Sequence, residues 1–299
     1  LKADQEIPDT PEALDTLPSL SPSDIPRKVR TIPTGYVQVG GVDALRHEVF
    51  SNGVGYVGFE FDSSDLSDEE TILLPLLGKI TLGCGAGGLG YEAMAKRVAR
   101  TTGGVGSGTA TGRALGTDER FETFSINGRA LAANAGDLCG ILTDFLTASD
   151  VSDRKRVGDL VPEAAGRLKS RLIPAGHSFA YQRAAAVLDA SMWRQEQWGG
   201  TTQARFLGQW AGRVGEDADE LIARLQALQQ KLFTRNRLRV SVAGDGDVLT
   251  ALEGPLGALV AGLPQGPPVG PDTAAVPNLA RDAGVTIGGA VNYVAQVVP

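Results

Sequence analysis

Apolar and polar positions along the centre of the chain predict one helix followed by two strands. The helix covers Tyr91–Thr101 and ends where Gly103 interrupts its pattern. The first strand-like run, Gly104–Gly112, consists of small residues, and the second, Phe121–Leu131, alternates in character along its length. A polar connection with a turn at Gly116 joins them. A helix that leads into an antiparallel pair of strands is typical of an α+β layer, in which helices cover one face of a sheet.

Further strands and helices are predicted on both sides of this central unit. Val42–Phe50 and Val54–Phe61 alternate, and the turn Ser51-Asn52-Gly53 between them is a strong hairpin signal, so the two runs are expected to pair. Leu238–Ala243 is predicted as a short buried strand. Ser67 is expected to cap the first of the predicted helices. Helical spacing of apolar residues predicts helices at Asp65–Leu82, Asn134–Leu146, Ser152–Leu172, Ser178–Asp189, Met192–Trp198, Thr201–Val214, Glu216–Phe233 and Val248–Ala261.

Proline and glycine content divides the chain into three parts. Residues 1–33 are rich in proline and are expected to form an extended linker. Residues 34–263 are expected to form one α+β domain, with an antiparallel or mixed sheet covered by helices. Residues 264–299 begin as an unstructured Pro/Gly-rich tether and end in Val291–Val298, a strand expected to belong to a following domain. Because the chain starts at Leu1 and ends just after this strand, we expect it to be a segment of a longer protein.

Charge and composition exclude several classes of protein. The formal net charge of −7, from 28 Lys and Arg against 35 Asp and Glu, argues against nucleic-acid binding, which needs clustered positive charge. The basic run Arg235–Arg239 is short and is interpreted as a solvated strand edge. No apolar run reaches the length of a membrane span. We therefore expect no nucleic-acid or membrane partner and a soluble protein of unknown compartment, with the cytoplasm as the first expectation.

The residues most often used in catalysis are sparse in this chain. Its 2 cysteines, Cys84 and Cys139, fit neither a disulfide framework nor a metal-binding spacing, and buried thiols are expected. The only histidines are His47 and His177, and neither belongs to an H-E-x-x-H or H-x-x-E-H motif. His47 and Glu48 are adjacent in a predicted strand, so they point to opposite faces and cannot share a metal. We predict no catalytic residue, no cofactor-binding residue and no metal ligand in the chain.

Three other features have a functional and a structural interpretation. Gly83–Gly90 contains a G-x-G-x-x-G string, but it follows an apolar helix instead of a strand, so a flexible helix-to-helix connection is preferred to nucleotide binding. His177 stands at a helix start, where structural packing is preferred to a functional role. Trp193 and Trp198 are interpreted as core anchors in preference to a binding surface.

Several strings, in order along the chain, carry a family resemblance. They are Leu17–Ile25 (LPSLSPSDI), the helix and strand from Tyr91 to Gly104, Gly176–Ala180 (GHSFA) leading to Arg183-Ala184, Glu196 followed by Gly199-Gly200, and Val291–Val294 (VNYV). On these strings the chain resembles presequence proteases, a branch of the pitrilysin/insulinase zinc metallopeptidases. The resemblance covers residues from about 17 to the end.

The resemblance implies a fold and a role. The fold would be like one α/β repeat domain of the mitochondrial-processing-peptidase-like metallohydrolases. In that family two halves enclose a chamber, an H-x-x-E-H motif in the first domain holds zinc, and the fourth domain supplies an R-x-x-G-G-A-Y string. This chain would be the post-hinge linker, the third domain and the first strand of the fourth, so it would carry none of these residues.

The implied function is therefore that of a non-catalytic chamber wall in a zinc metalloendopeptidase that degrades short unfolded peptides. The expected partners are the missing catalytic half of the same protein, where the zinc is expected, and peptide substrates. An edge strand of the sheet could add to a peptide, but the sequence leaves open which edge. The alternative is a free-standing inactive interaction subunit that partners a separate peptidase.

Overall fold

The computed structural model describes residues 5–29, 31–280, 282–289 and 291–298. The chain divides into a small unit, residues 1–32, and a large unit, residues 33–299. In the described part of the small unit, the short helix α1 (Pro11–Leu14) begins after Thr10, whose Oγ1 accepts a hydrogen bond from the backbone N–H of Ala13 at 3.3 Å. Most of the other described residues in this unit are neither helix nor strand.

The large unit is built on one mixed sheet. Its six strands are β1 (Gly35–Val39), β2 (Val42–Glu48), β3 (Val54–Asp62), β4 (Val105–Arg113), β5 (Arg120–Leu131) and β6 (Leu238–Gly244). Their spatial order is β1-β2-β6-β3-β5-β4. Neighbouring strands are antiparallel except for β2 and β6, which are parallel. The predicted α+β class with a mixed sheet is confirmed.

Helices fill the connections between the strands. In chain order the large unit contains α2 (Asp68–Thr71), α3 (Leu74–Gly83), α4 (Tyr91–Thr101), α5 (Ala135–Thr147), α6 (Arg154–Arg171), α7 (Gly176–Ala185), α8 (Ala190–Gly199), α9 (Thr201–Leu232) and α10 (Gly246–Gly262). The predicted cap of the first is confirmed, because Ser67 and Glu70 form a reciprocal capping box at the start of α2.

The helices cover only one face of the sheet. On β5, the side chains of Phe124 and Ile126 are buried on the covered face, as are those of Phe59 and Phe61 on β3. Phe233, just after α9, packs against this face with its ring centroid 5.1 Å from that of Phe61. The intervening residues of β5 are exposed or half-buried. The sheet therefore has a covered face, which forms the core, and an open face.

The predicted hairpin of Val42–Phe50 with Val54–Phe61 is wrong. The Asn-Gly turn does form, with positive φ values at Asn52 and Gly53 and a bond from Val54 N–H to the carbonyl of Ser51 at 3.3 Å. However, β6 lies between β2 and β3 and pairs with both. The carboxylate of Asp245, directly after β6, accepts hydrogen bonds from the backbone N–H groups of Ser51 and Gly53. These bonds attach the turn to the end of β6, which separates β2 from β3.

A hairpin that the pattern did not predict joins β1 to β2. Its turn is Gly40-Gly41, and both glycines have positive φ. A Cβ on Gly40 would lie 2.8 Å from the Cβ of Val260 in α10, so glycine at this position serves close packing as well as the turn.

One further prediction needs correction, and another is supported in part. Arg235–Arg239 is not a solvated strand edge, because β6 is an interior strand and the side chain of Arg237 is buried in a bidentate pair with Asp65 at 2.6 and 2.9 Å. The predicted helices Thr201–Val214 and Glu216–Phe233 form the two parts of α9, which meet at a kink at Asp217, where φ is −99° and ψ is 20°, close to the predicted boundary. Leucines on both sides of the kink pack into the same core.

The described C-terminal residues, 282–289 and 291–298, lack regular structure. Val291–Val298 was predicted as a strand, but none of the described residues there is in a strand. Tyr293 lies over Gly176, at the start of α7, and donates a hydrogen bond to the carbonyl of Ile173 at 2.6 Å. A strand needs a neighbouring strand to pair with, and here the segment contacts a helix instead.

Hydrogen bonds hold residues 264–274, here called the strap, along the end of the sheet. The strap contains neither helix nor strand. The backbone N–H of Gly270 donates to Asp65 at 2.9 Å, and that of Thr273 donates to the carbonyl of Ser64 at 2.9 Å. At its start, the carbonyl of Pro264 accepts from the N–H of Arg235 at 2.9 Å. The segment is thus fixed by specific bonds although its sequence has the composition of a tether.

A buried ionic network lies beneath the strap. Glu122, on the covered face of β5, accepts hydrogen bonds from Arg194 Nε at 2.7 Å and from Arg120 Nη1 at 2.6 Å. The side chains of Glu122 and Arg194 are both 0% exposed. Arg120 also donates from Nε to Asp272 of the strap at 2.7 Å, and Arg194 donates to the hydroxyl of Thr273. The network joins α8, β5 and the strap. Burial raises the pKa of Glu122 even though Arg194 and Arg120 act to lower it, so pairing offsets only part of the cost of burying this charge.

Candidate functional site

The glycine-rich string Gly83–Gly90 connects α3 to α4, as predicted. It is packed in place: a Cβ on Gly85 would lie 2.2 Å from the carbonyl oxygen of Leu89, and one on Gly87 would lie 2.5 Å from the carboxylate carbon of Asp144. These glycines therefore allow close approach within the chain. The string follows a helix and so lacks the strand that a dinucleotide fingerprint requires.

The two histidines lie on different elements. His47 is on β2, and His177 is the second residue of α7. The ring of His177 is 6.3 Å from that of Tyr293, centroid to centroid. Among the residues that the structure describes, no group of three or more His, Cys, Asp or Glu side chains has a geometry that could hold a metal ion.

The tryptophans at positions 193 and 198 are core residues. Trp193 is 9% exposed and Trp198 is 8% exposed. The indole N–H of Trp198 donates to the backbone carbonyl and the hydroxyl of Thr71, both at 3.1 Å, which joins α8 to α2. The interpretation as core anchors is confirmed, since a binding surface would need these rings to be accessible.

Both cysteines are buried, as expected. Burial raises the pKa of Cys84 to about 12, and the nearby carboxylate of Asp153 adds to this rise. Burial alone raises the pKa of Cys139 to about 11. At neutral pH both thiols are protonated, and because only the thiolate is a strong nucleophile or metal ligand, neither is suited to those roles.

The open face of the sheet carries two rows of side chains. The register of the strands aligns the residues of neighbouring strands in each row. One row runs His47, Ala243, Tyr56 and Arg129, and the next runs Leu45, Ser241, Gly58, Asn127 and Gly106. These rows surround a shallow depression of about 470 Å³. The sequence predicted an alternating strand here, but the depression depends on neighbours from distant parts of the chain.

Gly58 forms the floor of the depression. A Cβ at this position would lie 2.6 Å from Ser241 Oγ and 3.1 Å from Asn127 Oδ1, so the two polar side chains converge over the glycine backbone. His47 borders the depression, and its Nδ1 lies 3.1 Å from the carbonyl of Pro33. The same Nδ1 lies 3.2 Å from the hydroxyl of Thr34, so it can donate to the carbonyl when protonated or accept from the hydroxyl when it is not.

The open face offers hydrogen bonds and no obvious reaction chemistry. Its polar groups are a hydroxyl, an amide, an imidazole, a phenol and a guanidinium, supplied by Ser241, Asn127, His47, Tyr56 and Arg129. The arrangement is suited to contacts with an extended polar chain such as a polypeptide backbone.

One edge of the sheet adds backbone groups to this surface. β4 is the last strand in the spatial order and pairs only with β5 among the described strands. On the open face it carries Gly106, Gly108, Ala110 and Gly112, so little side-chain volume projects beside its backbone. Sequence reasoning found this strand but not its position at an edge.

No helix in the described residues combines the length and the hydrophobicity that crossing a bilayer would need.

Comparison with known proteins places the chain in a family. The model of the family described as Peptidase M16-C associated matches residues 1–209. Presequence protease 1, chloroplastic/mitochondrial, of Arabidopsis thaliana is 31% identical over 296 residues, which cover 99% of this chain and 27% of that protein. Presequence protease, mitochondrial, of Aspergillus oryzae is 29% identical over 262 residues, which cover 84% of this chain and 25% of that protein.

A solved structure shares the fold. The crystal structure of a peptidase M16 inactive domain from Pseudomonas fluorescens has a TM-score of 0.50 at 14% sequence identity, and the match covers 82% of this chain and 54% of that one. At this identity the likeness concerns the fold alone.

The chain spans about a quarter of the length of the curated presequence proteases that it matches. The names of these relatives place them in mitochondria or chloroplasts, and the cytoplasmic expectation for this chain is not confirmed. The family model covers more than half of the chain, from residue 1 to residue 209. The chain therefore belongs to the Peptidase M16-C associated family, as a presequence protease-like member of it.

Proposed function

We propose that this chain is a non-catalytic wall segment of a presequence protease-like zinc metallopeptidase that degrades short unfolded peptides. The observation that carries the proposal is the open face of the sheet. A sheet covered by helices on one side and bare on the other presents a broad surface to whatever lies opposite. In a family of peptidases, the enclosed peptide is the natural occupant of the space beside it.

The side chains of the open face fit such a role. Ser241, Asn127 and Tyr56 offer donors and acceptors without net charge, while Arg129 adds one positive charge. Such groups bind extended peptide backbone through hydrogen bonds that any sequence can make. The wall would therefore hold peptides weakly and without strong preference for their side chains.

The catalytic zinc would belong to another part of the polypeptide. Within the described residues the two histidines and two cysteines fit no metal site, since the thiols are buried and protonated and no suitable cluster forms. The partner of this chain would therefore be the half that carries the zinc ligands. Cleavage would then require both halves, with this chain enclosing the peptide and excluding larger folded proteins.

Metal analysis and a cleavage assay test the proposal. The purified 299-residue chain is incubated with zinc, dialysed and analysed for bound metal, and then supplied with a fluorogenic unfolded peptide. We expect zinc far below one equivalent and no cleavage, with cleavage appearing only when the polypeptide that carries the H-x-x-E-H motif is also present. One tightly bound zinc, or cleavage by the chain alone, would overturn the proposal.

A further inference from the structure

The free edge of β4 is long and has none of the features that usually protect a strand edge. Proteins block exposed edges with proline, lysine, a bulge or a very short strand. β4 spans 9 residues, contains neither proline nor lysine, and keeps continuous register with β5 from Val105 to Arg113. The side chain of Ser107 lies beside Gly78 of α3 on the covered face, yet Ser107 is still exposed, so α3 does not bury this edge there.

The hydrogen bonds of β5 show which backbone groups of β4 are free. The carbonyl of Glu122 and the N–H of Ala132 bond toward the β3 side, whereas the N–H and carbonyl of Arg129 bond toward the β4 side. Backbone groups alternate in direction along a strand, so the odd-numbered residues of β5 bond to β4. Their partners in the register are Gly106, Gly108, Ala110 and Gly112.

The remaining residues of β4 consequently direct their N–H and carbonyl groups away from the sheet. These residues are Val105, Ser107, Thr109, Thr111 and Arg113. No backbone hydrogen bond from any of them to a residue outside the sheet is present in the described part of the chain. A row of unpaired donors and acceptors at this spacing is complementary to one partner, the backbone of another extended chain.

The open face beside this row is uncrowded at Gly106. A Cβ on Gly106 would meet nothing within 4 Å, and φ at that residue is not in the left-handed region, so neither packing nor backbone conformation requires glycine there. Glycine in a strand weakens it and often marks close approach of another backbone.

We propose that the free edge of β4 binds an unfolded peptide by strand addition, which extends the sheet beyond β4. The inference rests on the proposed function for the identity of the occupant, the peptide enclosed by the wall. Main-chain hydrogen bonds to Val105, Ser107, Thr109 and Thr111 supply the affinity. Because the open-face positions of β4 present almost no side chains beside the added strand, peptides with large or small side chains fit equally.

A peptide-binding assay with matched backbone changes tests the inference. The probe is a fluorescein-labelled peptide as long as β4 that alternates valine and lysine, together with a twin that carries N-methyl groups on alternate residues. Binding to the full 299-residue chain is measured by fluorescence anisotropy. We expect the twin to bind at least about tenfold more weakly, because each lost hydrogen bond and its steric block costs on the order of 1 kcal/mol.

Variants of the chain separate the edge from the rest of the surface. Thr109→Pro removes an outward N–H without removing a bond to β5, and should weaken binding about tenfold, whereas Thr109→Val should leave it unchanged. Tyr36→Pro, on the opposite edge strand β1, is the matched control and should have no effect. Amide exchange measured by NMR should slow at Ser107 and Thr109 when the peptide binds. This measurement uses the unsubstituted chain and so does not depend on whether a variant folds.

The outcomes distinguish this inference from the function on which it rests. The edge inference would be overturned if Thr109→Pro bound the peptide as tightly as the unsubstituted chain and the N-methylated twin bound as tightly as the unmethylated peptide. Protection only at open-face residues such as Tyr56 and Arg129 would also overturn it. Either result would leave the wall proposal standing. Absence of peptide binding would also overturn the edge inference. Stoichiometric zinc in the chain alone would overturn the wall proposal whatever the binding result.

Discussion

Glu196 is buried at 0% exposure beside the first turn of α9, and Gly200 makes the room for it. Its Oε1 accepts hydrogen bonds from the hydroxyl of Thr201 at 2.6 Å and from the N–H of Thr202 at 3.0 Å, so it caps the helix from inside the core. An acidic group at this end also complements the helix dipole. A Cβ on Gly200 would lie 1.7 Å from Glu196 Oε2, so any larger residue must displace the cap.

Gly200→Ala should therefore destabilise the protein by about 1–3 kcal/mol, through overpacking and loss of the cap. The backbone at Gly200 is extended, with φ −91°, so strain contributes nothing. Gly199→Ala is the matched control, because a Cβ there meets nothing within 4 Å, and it should be neutral or slightly stabilising. Urea unfolding measures both, and equal midpoints would contradict the role given to Gly200.

At the scale of elements, β6 joins the strand pair β1–β2 to the strands β3, β5 and β4, and the strap lies along the end of the resulting sheet. β6 lies between β2 and β3. Asp245, directly after β6, accepts a hydrogen bond from the hydroxyl of Ser51 in the turn that connects β2 to β3, and so fixes that turn although the two strands do not pair. The strap then lies along the end of the sheet, where Asp65 and Arg120 hold it. Burial works to raise the pKa of Asp65, but Arg237 and the N–H of Gly270 lower it overall.

Stability should depend on pH through Asp65. Because its pKa is lower in the folded than in the unfolded chain, its contribution is complete above the ordinary value of about 3.9 and is lost as the pH falls through the folded value. Asp65→Asn should cost about 3 kcal/mol at neutral pH, since it leaves Arg237 buried without a countercharge. The difference from the unsubstituted protein should shrink in acid.

Chemical unfolding at a series of pH values checks this expectation. Glu163→Gln is the control, because the pair of Glu163 with Lys79 is largely exposed on the Glu163 side and should change stability by less than about 1 kcal/mol. A deficit for Asp65→Asn that stayed constant from neutral pH to strong acid would rule out the ionised pair as its cause.

At the scale of the whole molecule, the sheet divides two environments. Its covered face packs against helices in the main apolar core, and its open face is polar and ends at the unpaired edge of β4. The strap lies across one end and reaches the buried network of Arg120, Glu122 and Arg194. Because the strap contacts this network, we propose that the domain extends past the predicted boundary at residue 263 and includes the strap.

Two truncated chains test that boundary. A chain that ends at residue 263 loses Asp272 and Thr273, which leaves Arg120 with one carboxylate fewer, and should be less stable by about 3 kcal/mol. A chain that ends at Pro277 keeps these contacts and should unfold close to the full chain. Calorimetric midpoints measure both, and equal stability of the two truncated chains would show that the strap is dispensable.

The sequence by itself determined the elements whose signals are local. The capping box of Ser67 and Glu70, the helix and strand pair from Tyr91 to Leu131, and the helix-to-helix connection at Gly83–Gly90 all follow from periodicity and turn chemistry within a few residues. The prediction against a dinucleotide site at this connection has the same basis, because the motif needs a strand directly before it.

Only the tertiary structure decided which strands become neighbours. Periodicity shows that β2, β3 and β6 each bury one face, but β6 is almost 200 residues away and its pairing depends on which edges remain free after the helices have packed. The burial of Arg237, the floor at Gly58 and the strap have the same origin. Each depends on a partner distant in sequence, and a local pattern carries no information about which distant partner meets it.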